Sequence, residues 1–391
     1  MGLNKRYRGY KSFDYLEKDD YRTYKLVKEI GRVEPYTVPL SVAEEDRVNR
    51  IVGENVVISF HEHPVVFPED TTLYPDVCKR GRFPTAFEGL SKSCLDGVFD
   101  NLLDGGCVLT SKAGWKWEDA IVDLGMRLAD IEHQDFVITA RKVDDILQAY
   151  KEGQIAFIWC MEGAMPIENE LDRIDILYGF GLRVLMLTYS ESNALGTGSM
   201  ETRDGGLTYF GRQCVDRMNK LGMAVDVAHC SDQTALDTAR ESKKPIFDTH
   251  GSARGLHPER GKSDDTMKAI ADKGGVLGFL STPGVGDMEA VMRQFEYLKN
   301  LCGIESVAFA PDTIYGDHLA LYRTLGAERT IVAYRDIKPD AMPYPYVKGM
   351  ENPTEASWNT VRLLVQAGYS DEDVAKVIGG NVIRALREIW Y

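Results

Sequence analysis

Eight short apolar runs rich in β-branched residues recur along the chain, and this repetition constrains the fold more than any other sequence feature. Most runs are separated by stretches long enough to hold a helix, which is typical of βα units and a parallel sheet. Intervening segments such as "SDQTALDTARESK" carry apolar residues at the spacing of helices that lie on a sheet. The runs lie at 55–63, 105–111, 154–163, 182–190, 223–231, 244–251, 274–281 and 305–313.

Eight such units within about 260 residues predict an α/β fold, specifically a (β/α)8 TIM barrel. The barrel is expected to span about residues 55–350, with N- and C-terminal helical extensions in the flanking segments 1–54 and 351–391. The chain contains no linker rich in Pro, Gly or Ser and no repeat at a solenoid period. We therefore predict a single domain over residues 1–391.

The charge balance and the terminal sequence limit the partners and the location. The chain has 60 acidic and 46 basic residues, a net charge of −14, whereas a nucleic-acid-binding surface needs a basic stripe. The N-terminus lacks the apolar centre of a signal peptide, and no apolar run approaches the ~20 residues of a membrane helix. These features predict a cytoplasmic protein that binds a small molecule, with neither nucleic acid nor a membrane as partner.

Ionisable residues gather where the predicted strands end. In a TIM barrel the active site lies at the carboxyl ends of the strands. Four of the seven histidines of the chain, together with two carboxylates, occupy such ends. They are His61 and His63 on the first strand, Glu162 on the third, His229 on the fifth, His250 on the sixth and Asp312 on the eighth.

A lone histidine at a strand end is more often a hydrogen-bonded loop residue than a ligand, and we assign His133, His257 and His318 to that class. Six ionisable groups buried together at one rim are too costly without a partner, and a metal supplies one. Four histidines and a glutamate exceed the three protein ligands usual in a mononuclear catalytic zinc site, so two divalent ions are expected, either zinc or a neighbour such as manganese, iron or nickel. Paired metals activate water and polarise a carbonyl or phosphoryl oxygen, which predicts a hydrolase.

Several motifs resemble one known family. The stretch "VDVAHCSD" followed by "THGSARGLHP", with "MEGAMPI" before them and "GGNVIRAL" after, resembles the membrane (renal) dipeptidase family of zinc metallopeptidases, in the amidohydrolase superfamily. The resemblance runs from about residue 56 to 388 and implies a binuclear zinc barrel that hydrolyses dipeptides. Members of the family are often dimers, so a homodimer is a candidate assembly.

The resemblance also implies roles for individual residues. His61 and His63 would hold one metal and His229 and His250 the other, with Glu162 bridging both.

Two further positions match the substrate-handling residues of the family. Arg254 matches the arginine that receives the substrate carboxylate, a contact that suits a bidentate guanidinium. Asp312 matches the aspartate that handles the proton of the attacking water.

Three departures from the family pattern bear on the substrate. His63 stands where the family usually has Asp, which makes the site one unit more positive. Tyr189 stands where a histidine usually contacts the substrate carbonyl, and Tyr189 is able to donate a hydrogen bond to a developing oxyanion there. The usual "HPRN" segment reads "HPERG", which shifts Arg260 by one position and rebuilds a pocket loop.

The function predicted from the sequence is therefore a binuclear metal-dependent hydrolase that cleaves a peptide or amide bond of a small carboxylate-bearing substrate, like a dipeptidase. Two alternatives stay open. The first is an amidohydrolase acting on another amide, such as an N-acyl amino acid, a lactam or a cyclic imide. The second is a binding protein that kept the barrel and lost catalysis.

Overall fold

The computed structural model describes residues 5–80, 82–102, 116–257, 261–282, 285–327 and 346–391. Ten strands in this part of the chain form one sheet in which every paired neighbour is parallel. The strands are β1 (Ile58–Val66), β2 (Gly97–Leu102), β3 (Val137–Thr139), β4 (Ile155–Met161), β5 (Leu182–Met186), β6 (Ala224–Asp226), β7 (Ile246–Asp248), β8 (Val276–Phe279), β9 (Val307–Phe309) and β10 (Ile314–Tyr315).

The sheet curls as in a TIM barrel. Its order is β10-β1-β2-β4-β5-β6-β7-β8-β9, with β3 paired to β4 beside this path. After β9 the chain returns to β1, since the backbone amide of Asp312 donates to the carbonyl of His61 at 3.2 Å. Because the strands are parallel, the carboxyl ends that carry the predicted site residues all lie at the same edge of the sheet.

Helices follow most of the strands, as the βα pattern predicts. Several begin at a Ser, Thr or Asp whose side chain accepts a backbone N–H of the first turn, as Ser231 does from Thr234. The helices are α1 (Val42–Glu54), α2 (Tyr74–Arg80), α3 (Phe87–Lys92), α4 (Trp117–Ile131), α5 (Val143–Glu152), α6 (Asp172–Phe180), α7 (Tyr209–Leu221), α8 (Asp232–Glu241), α9 (Asp264–Asp272), α10 (Met288–Cys302), α11 (His318–Ala327), α12 (Pro353–Gln366), α13 (Asp371–Ala375) and α14 (Asn381–Ile389).

The two flanking segments differ in helix content. Residues 5–41 run without a helix, and α1 begins only after Ser41, which forms a capping box with Glu44. The segment is nevertheless attached to the sheet, because Lys5 forms a buried ion pair with Asp96 at 2.8 Å. The C-terminal segment contains α12, α13 and α14. Across the described helices, none combines the length and apolar character needed to cross a bilayer.

One strand of the sheet was not among the predicted runs. It is β2, with the sequence "GVFDNL", which pairs with β1, whereas the predicted run 105–111 lies outside the described residues. The short strands β3 and β10 were not predicted either. As a consequence, Glu162 follows the fourth strand in chain order rather than the third.

An aromatic layer supports the floor of the site. The ring of Phe60 contacts the rings of Phe99 and Phe247, and in each of these two pairs the centroids are 4.9 Å apart. The same core cluster includes residues of α14 and the following Trp390, so the last helix covers the inner core. Both contacts are edge-to-face, and such pairs add about 0.5–1.5 kcal/mol each beyond the burial of apolar area.

A β-bulge in β1 includes Phe60 of the aromatic layer and His61. In the β1–β2 ladder Ser59 pairs with Val98 and Glu62 with Asp100, so β1 contributes one extra residue over this interval. A bulge reorients side chains because it interrupts the strict alternation of a strand.

Candidate metal centre

The six residues predicted at strand ends do converge on one site. His61 and His63 belong to β1, while Glu162, His229 and His250 follow the ends of β4, β6 and β7. Asp312 lies between β9 and β10. The four histidines and the glutamate are at most 4% exposed, and the Asp312 side chain is 19% exposed.

The carboxylate of Glu162 lies at the centre of the cluster. Its Oε1 is 3.0 Å from Nε2 of His229 and 3.2 Å from Nε2 of His250. Its other oxygen, Oε2, is 3.6 Å from Nε2 of His63, and Nε2 of His61 lies 3.8 Å from Oε1. One carboxylate thus faces both histidine pairs, as a bridging ligand would.

Asp312 lies beside the first histidine pair, because the backbone after β9 is hydrogen-bonded to β1. Its Oδ1 lies 3.5 Å from Nε2 of His61 and 3.4 Å from Nε2 of His63. Asp312 has φ of +57°, a left-handed conformation that non-glycine residues seldom adopt. Such strain is often found at functional sites, where the surrounding structure maintains it.

The donor set fits divalent cations. Within each pair, the two Nε2 atoms lie close together, at 3.3 Å for His61 and His63 and 2.9 Å for His229 and His250. Imidazole nitrogens and carboxylate oxygens suit zinc and its divalent neighbours. Three overlapping triads have ligand atoms within 4.8 Å of one another: His61 with His63 and Glu162, His61 with His250 and Asp312, and Glu162 with His229 and His250.

The protonation states favour metal binding. Burial and the neighbouring His250 hold the pKa of His61 well below its ordinary value, so its ring is neutral. Burial alone would raise the pKa of Glu162, but hydrogen bonds with His229 and His250 hold that pKa well below its usual range. Metal ligation requires neutral imidazoles and ionised carboxylates, and His61 and Glu162 meet these conditions. Burial alone would lower the pKa of His250, but its hydrogen bond with Glu162 raises that pKa above the ordinary value.

Residues 111–318, more than half of the chain, match the family described as membrane dipeptidase (Peptidase family M19). The chain belongs to this family. The resemblance inferred from the sequence is thereby confirmed.

Individual relatives agree with this assignment. The chain is 27% identical to Dipeptidase tcpJ of Claviceps purpurea over 271 residues, which are 68% of this chain and 59% of the length of that protein. A crystal structure of an amidohydrolase from Pseudomonas aeruginosa aligns with a TM-score of 0.69 at 23% identity, covering 88% of this chain and 99% of the other. The probable dipeptidase PvdM from the same organism aligns with a TM-score of 0.67 at 18% identity, covering 90% and 99%. At these identities the two structures show that the fold is shared.

Three further residues orient the histidines, and the sequence analysis missed all of them. The outer nitrogen Nδ1 of His63 lies 3.3 Å from the carbonyl oxygen of Asn101, and that of His229 lies 3.3 Å from Oγ of Ser190. The Nδ1 of His250 lies 3.1 Å from Oγ1 of Thr249. Ser190 and Thr249 each adjoin a predicted site residue, so the sequence did carry a signal for them. Asn101 lies on β2, a strand that was not predicted.

Tyr189, which was predicted to contact the substrate carbonyl, lies beside the second histidine pair. It is buried, and its ring stacks on the imidazole of His229 with centroids 4.4 Å apart and 25° between the planes.

Gly163, which follows Glu162, has φ of +115°, and a Cβ there would lie 3.3 Å from the Tyr189 backbone nitrogen. Only glycine combines that conformation with so close an approach.

Arg254 lies apart from the six-residue cluster and has an ionic partner of its own. Its Nη2 lies 2.6 Å from Oδ2 of Asp232, its Nε donates to the carbonyl of Gly261 at 3.1 Å, and half of its side chain is exposed. It lines a cavity of about 270 Å³ together with Cys230, which directly follows His229. Residues 258–260 of the "HPERG" loop, including Arg260, lie outside the described residues.

His318 was assigned to the loop class, but its surroundings connect it to the site. It is buried at the start of α11, and burial lowers its pKa to about 4. The charges that act on it include those of Asp312 and His63. His133, by contrast, is an ordinary surface histidine, since its ring stacks on Tyr15 and its Nδ1 contacts the carbonyl of Ala129.

Proposed function

We propose that this protein is a metal-dependent hydrolase that cleaves the peptide or amide bond of a small substrate with a free carboxylate, and that dipeptides are its first candidate substrates. The observation that carries the proposal is the position of the Glu162 carboxylate, which faces His229 and His250 with one oxygen and His63 with the other. Membership in the membrane dipeptidase family supports the same reaction class.

The cofactor in this proposal is a pair of divalent ions, with Zn²⁺ as the first candidate. His61 and His63 would hold one ion and His229 and His250 the other, with Glu162 shared between them. When bound, such ions lower the pKa of a water molecule and polarise the carbonyl oxygen of the substrate. The chain itself contributes neutral imidazoles and an ionised carboxylate, which the pKa directions of His61 and Glu162 support.

Side chains around the metal centre would transfer the proton, stabilise the oxyanion and bind the substrate carboxylate. Asp312 would accept the proton of the attacking water and pass it to the leaving amine. It is suited to this role because its Oδ1 lies at the first histidine pair while part of the side chain stays accessible. Tyr189 would donate a hydrogen bond to the developing oxyanion, and Arg254 would receive the substrate carboxylate.

The proposal extends to the architecture and setting. We interpret the curled sheet as a (β/α)8 barrel within a single domain over residues 1–391, flanked by helical extensions. A cytoplasmic location and a homodimer complete the proposal. Light scattering of the purified protein tests the homodimer directly.

A substrate panel tests the reaction. Metal-stripped protein would be loaded with zinc, manganese, iron(II) or nickel and assayed with LL- and LD-dipeptides, N-acyl amino acids, lactams and cyclic imides. Dipeptide turnover that a chelator abolishes and added metal restores supports the proposal. Turnover of another amide alone selects the amidohydrolase alternative. Bound metal without turnover of any amide selects the inactive binding protein.

Substitution of Tyr189 tests its role in the transition state. Tyr189→Phe keeps the ring that stacks on His229 but removes the hydroxyl. We expect kcat to fall on the order of 10²-fold with little change in KM, since an oxyanion donor acts mainly in the transition state. Tyr189→His restores the family's residue and is expected to raise dipeptidase activity. An unchanged substrate profile in Tyr189→His would shift substrate selection to the "HPERG" loop.

A comparison of free and amidated substrates tests Arg254. If its guanidinium receives a carboxylate, amidation of that carboxylate should cost about 1.5–3 kcal/mol of binding, as for a lost charged hydrogen bond. Arg254→Met should abolish the preference for the free carboxylate. Asp232→Asn, which weakens the competing ion pair, should preserve or increase the preference. A preference that survives in Arg254→Met would make the contact with Asp232 a structural salt bridge only.

A further inference from the structure

A buried hydrogen-bond chain leads away from the second histidine pair. The hydroxyl of Thr249 lies 2.5 Å from Oδ2 of Asp226, and the backbone nitrogen of Thr249 donates to Oδ1 at 3.1 Å. The backbone nitrogen of Ala228 also donates to Oδ1, at 3.0 Å. On the other side, the Thr249 hydroxyl lies 3.1 Å from Nδ1 of His250. Asp226 and Thr249 are each 1% exposed and His250 is 3% exposed, so these hydrogen bonds are shielded from water.

The number of available protons determines which atom donates in each of these hydrogen bonds. A hydroxyl has one proton to donate, whereas an ionised carboxylate only accepts. The 2.5 Å contact assigns the Thr249 proton to Asp226, so only a hydroxyl lone pair faces His250. The Nδ1 of His250 must then be the donor. When His250 is the neutral ring that a metal requires, this leaves the lone pair on Nε2, the atom that lies 3.2 Å from Glu162 and 2.9 Å from His229.

We infer that Thr249, oriented by Asp226, is a positioning residue that fixes the tautomer of His250 in which Nε2 is free to bind a metal. The inference rests on the proposed function, because it assigns His250 to a metal centre. It adds two residues that the sequence pattern did not identify. Groups that hydrogen-bond to a ligating histidine commonly change metal affinity about 10–100-fold when they are removed.

Two substitutions of Thr249 form a matched pair for the test. Thr249→Val has the same shape without the hydroxyl, and Thr249→Ser retains the hydroxyl. Zinc affinity would be measured by competition with a chelator on metal-stripped protein. We expect Thr249→Val to weaken zinc binding at one of the two sites about 10–100-fold and Thr249→Ser to stay close to wild type. Equal affinities for Thr249→Val and wild type would overturn the inference.

A spectroscopic measurement tests the tautomer without any metal. The ¹⁵N chemical shifts of histidine-labelled, metal-free protein report which ring nitrogen carries the proton. Wild type and Thr249→Ser should show His250 protonated at Nδ1. Asp226→Asn should shift His250 toward protonation at Nε2, because an amide is able to donate to Thr249 and so release the hydroxyl proton toward the ring. His250 with Nε2 protonated and Nδ1 without a proton in wild type would overturn the inference.

These measurements separate the inference from the proposed function. Amide turnover by the wild type together with unchanged zinc affinity in Thr249→Val would sustain the function and overturn the role of Thr249. Absence of turnover with the expected tautomer and affinity changes would overturn the function and sustain that role. Thermal unfolding of the metal-free variants provides the control for folding. A similar melting temperature in Thr249→Val and Thr249→Ser assigns any difference in zinc affinity to the hydroxyl.

Discussion

Glu162→Gln is expected to lose bound metal and turnover together. The carboxylate of Glu162 faces both histidine pairs, with Oε1 3.0 Å from His229 and Oε2 3.6 Å from His63. An amide is neutral and presents one oxygen, so it is unable to bridge two cations as a carboxylate does. Elemental analysis after reconstitution should return about two divalent ions per chain for wild type and fewer for the variant. Hydrolysis should fall below detection in the same samples.

Glu170→Gln is the matched control for this experiment, because Glu170 lies nearby in sequence and is exposed. It should retain wild-type metal content and turnover. Two results would contradict the binuclear centre. One is at most one ion per chain in wild type reconstituted with excess zinc. The other is a Glu162→Gln variant that keeps both ions.

Asp312→Asn is expected to keep the metals and lose about 10²–10⁴-fold in turnover, the usual contribution of general acid–base catalysis. The amide has nearly the shape of the carboxylate but does not accept a proton from water. Asparagine is also suited to the backbone at this position, since it tolerates the left-handed conformation that Asp312 adopts at φ of +57°. The measurements are kcat and metal content on the same preparation.

The metal content of Asp312→Asn separates two roles for the carboxylate. Asp312 Oδ1 lies within 3.5 Å of Nε2 of both His61 and His63, and Asp312 also forms a triad with His61 and His250. Loss of one ion would identify Asp312 as a ligand. Retention of both ions with more than a tenth of the wild-type rate would show that another group carries the proton. His318, buried near Asp312, would then be the next residue to substitute.

The strand ends that carry the site were predictable because their signal is local. Apolar, β-branched runs that stop at a histidine or carboxylate place that residue at the edge of a parallel sheet, where the structure indeed brings His61, His63, Glu162, His229 and His250 together. The sequence "GVFDNL" of β2 escaped detection for a physical reason. Its Gly, Asp and Asn disfavour strands, and Asp100 is tolerated in the buried sheet because Arg127, distant in sequence, forms an ion pair with it.

The sequence by itself determined the parallel α/β pattern, the types of donor at the strand ends and the family to which the chain belongs. Only the tertiary structure decided the β-bulge that includes Phe60 and His61, the partner of Arg254 and the hydrogen bonds from Asp226 through Thr249 to His250. The reason is physical. Periodicity and side-chain type are local properties, whereas a hydrogen bond or ion pair needs two groups within about 3 Å, and the packing of distant segments sets that distance.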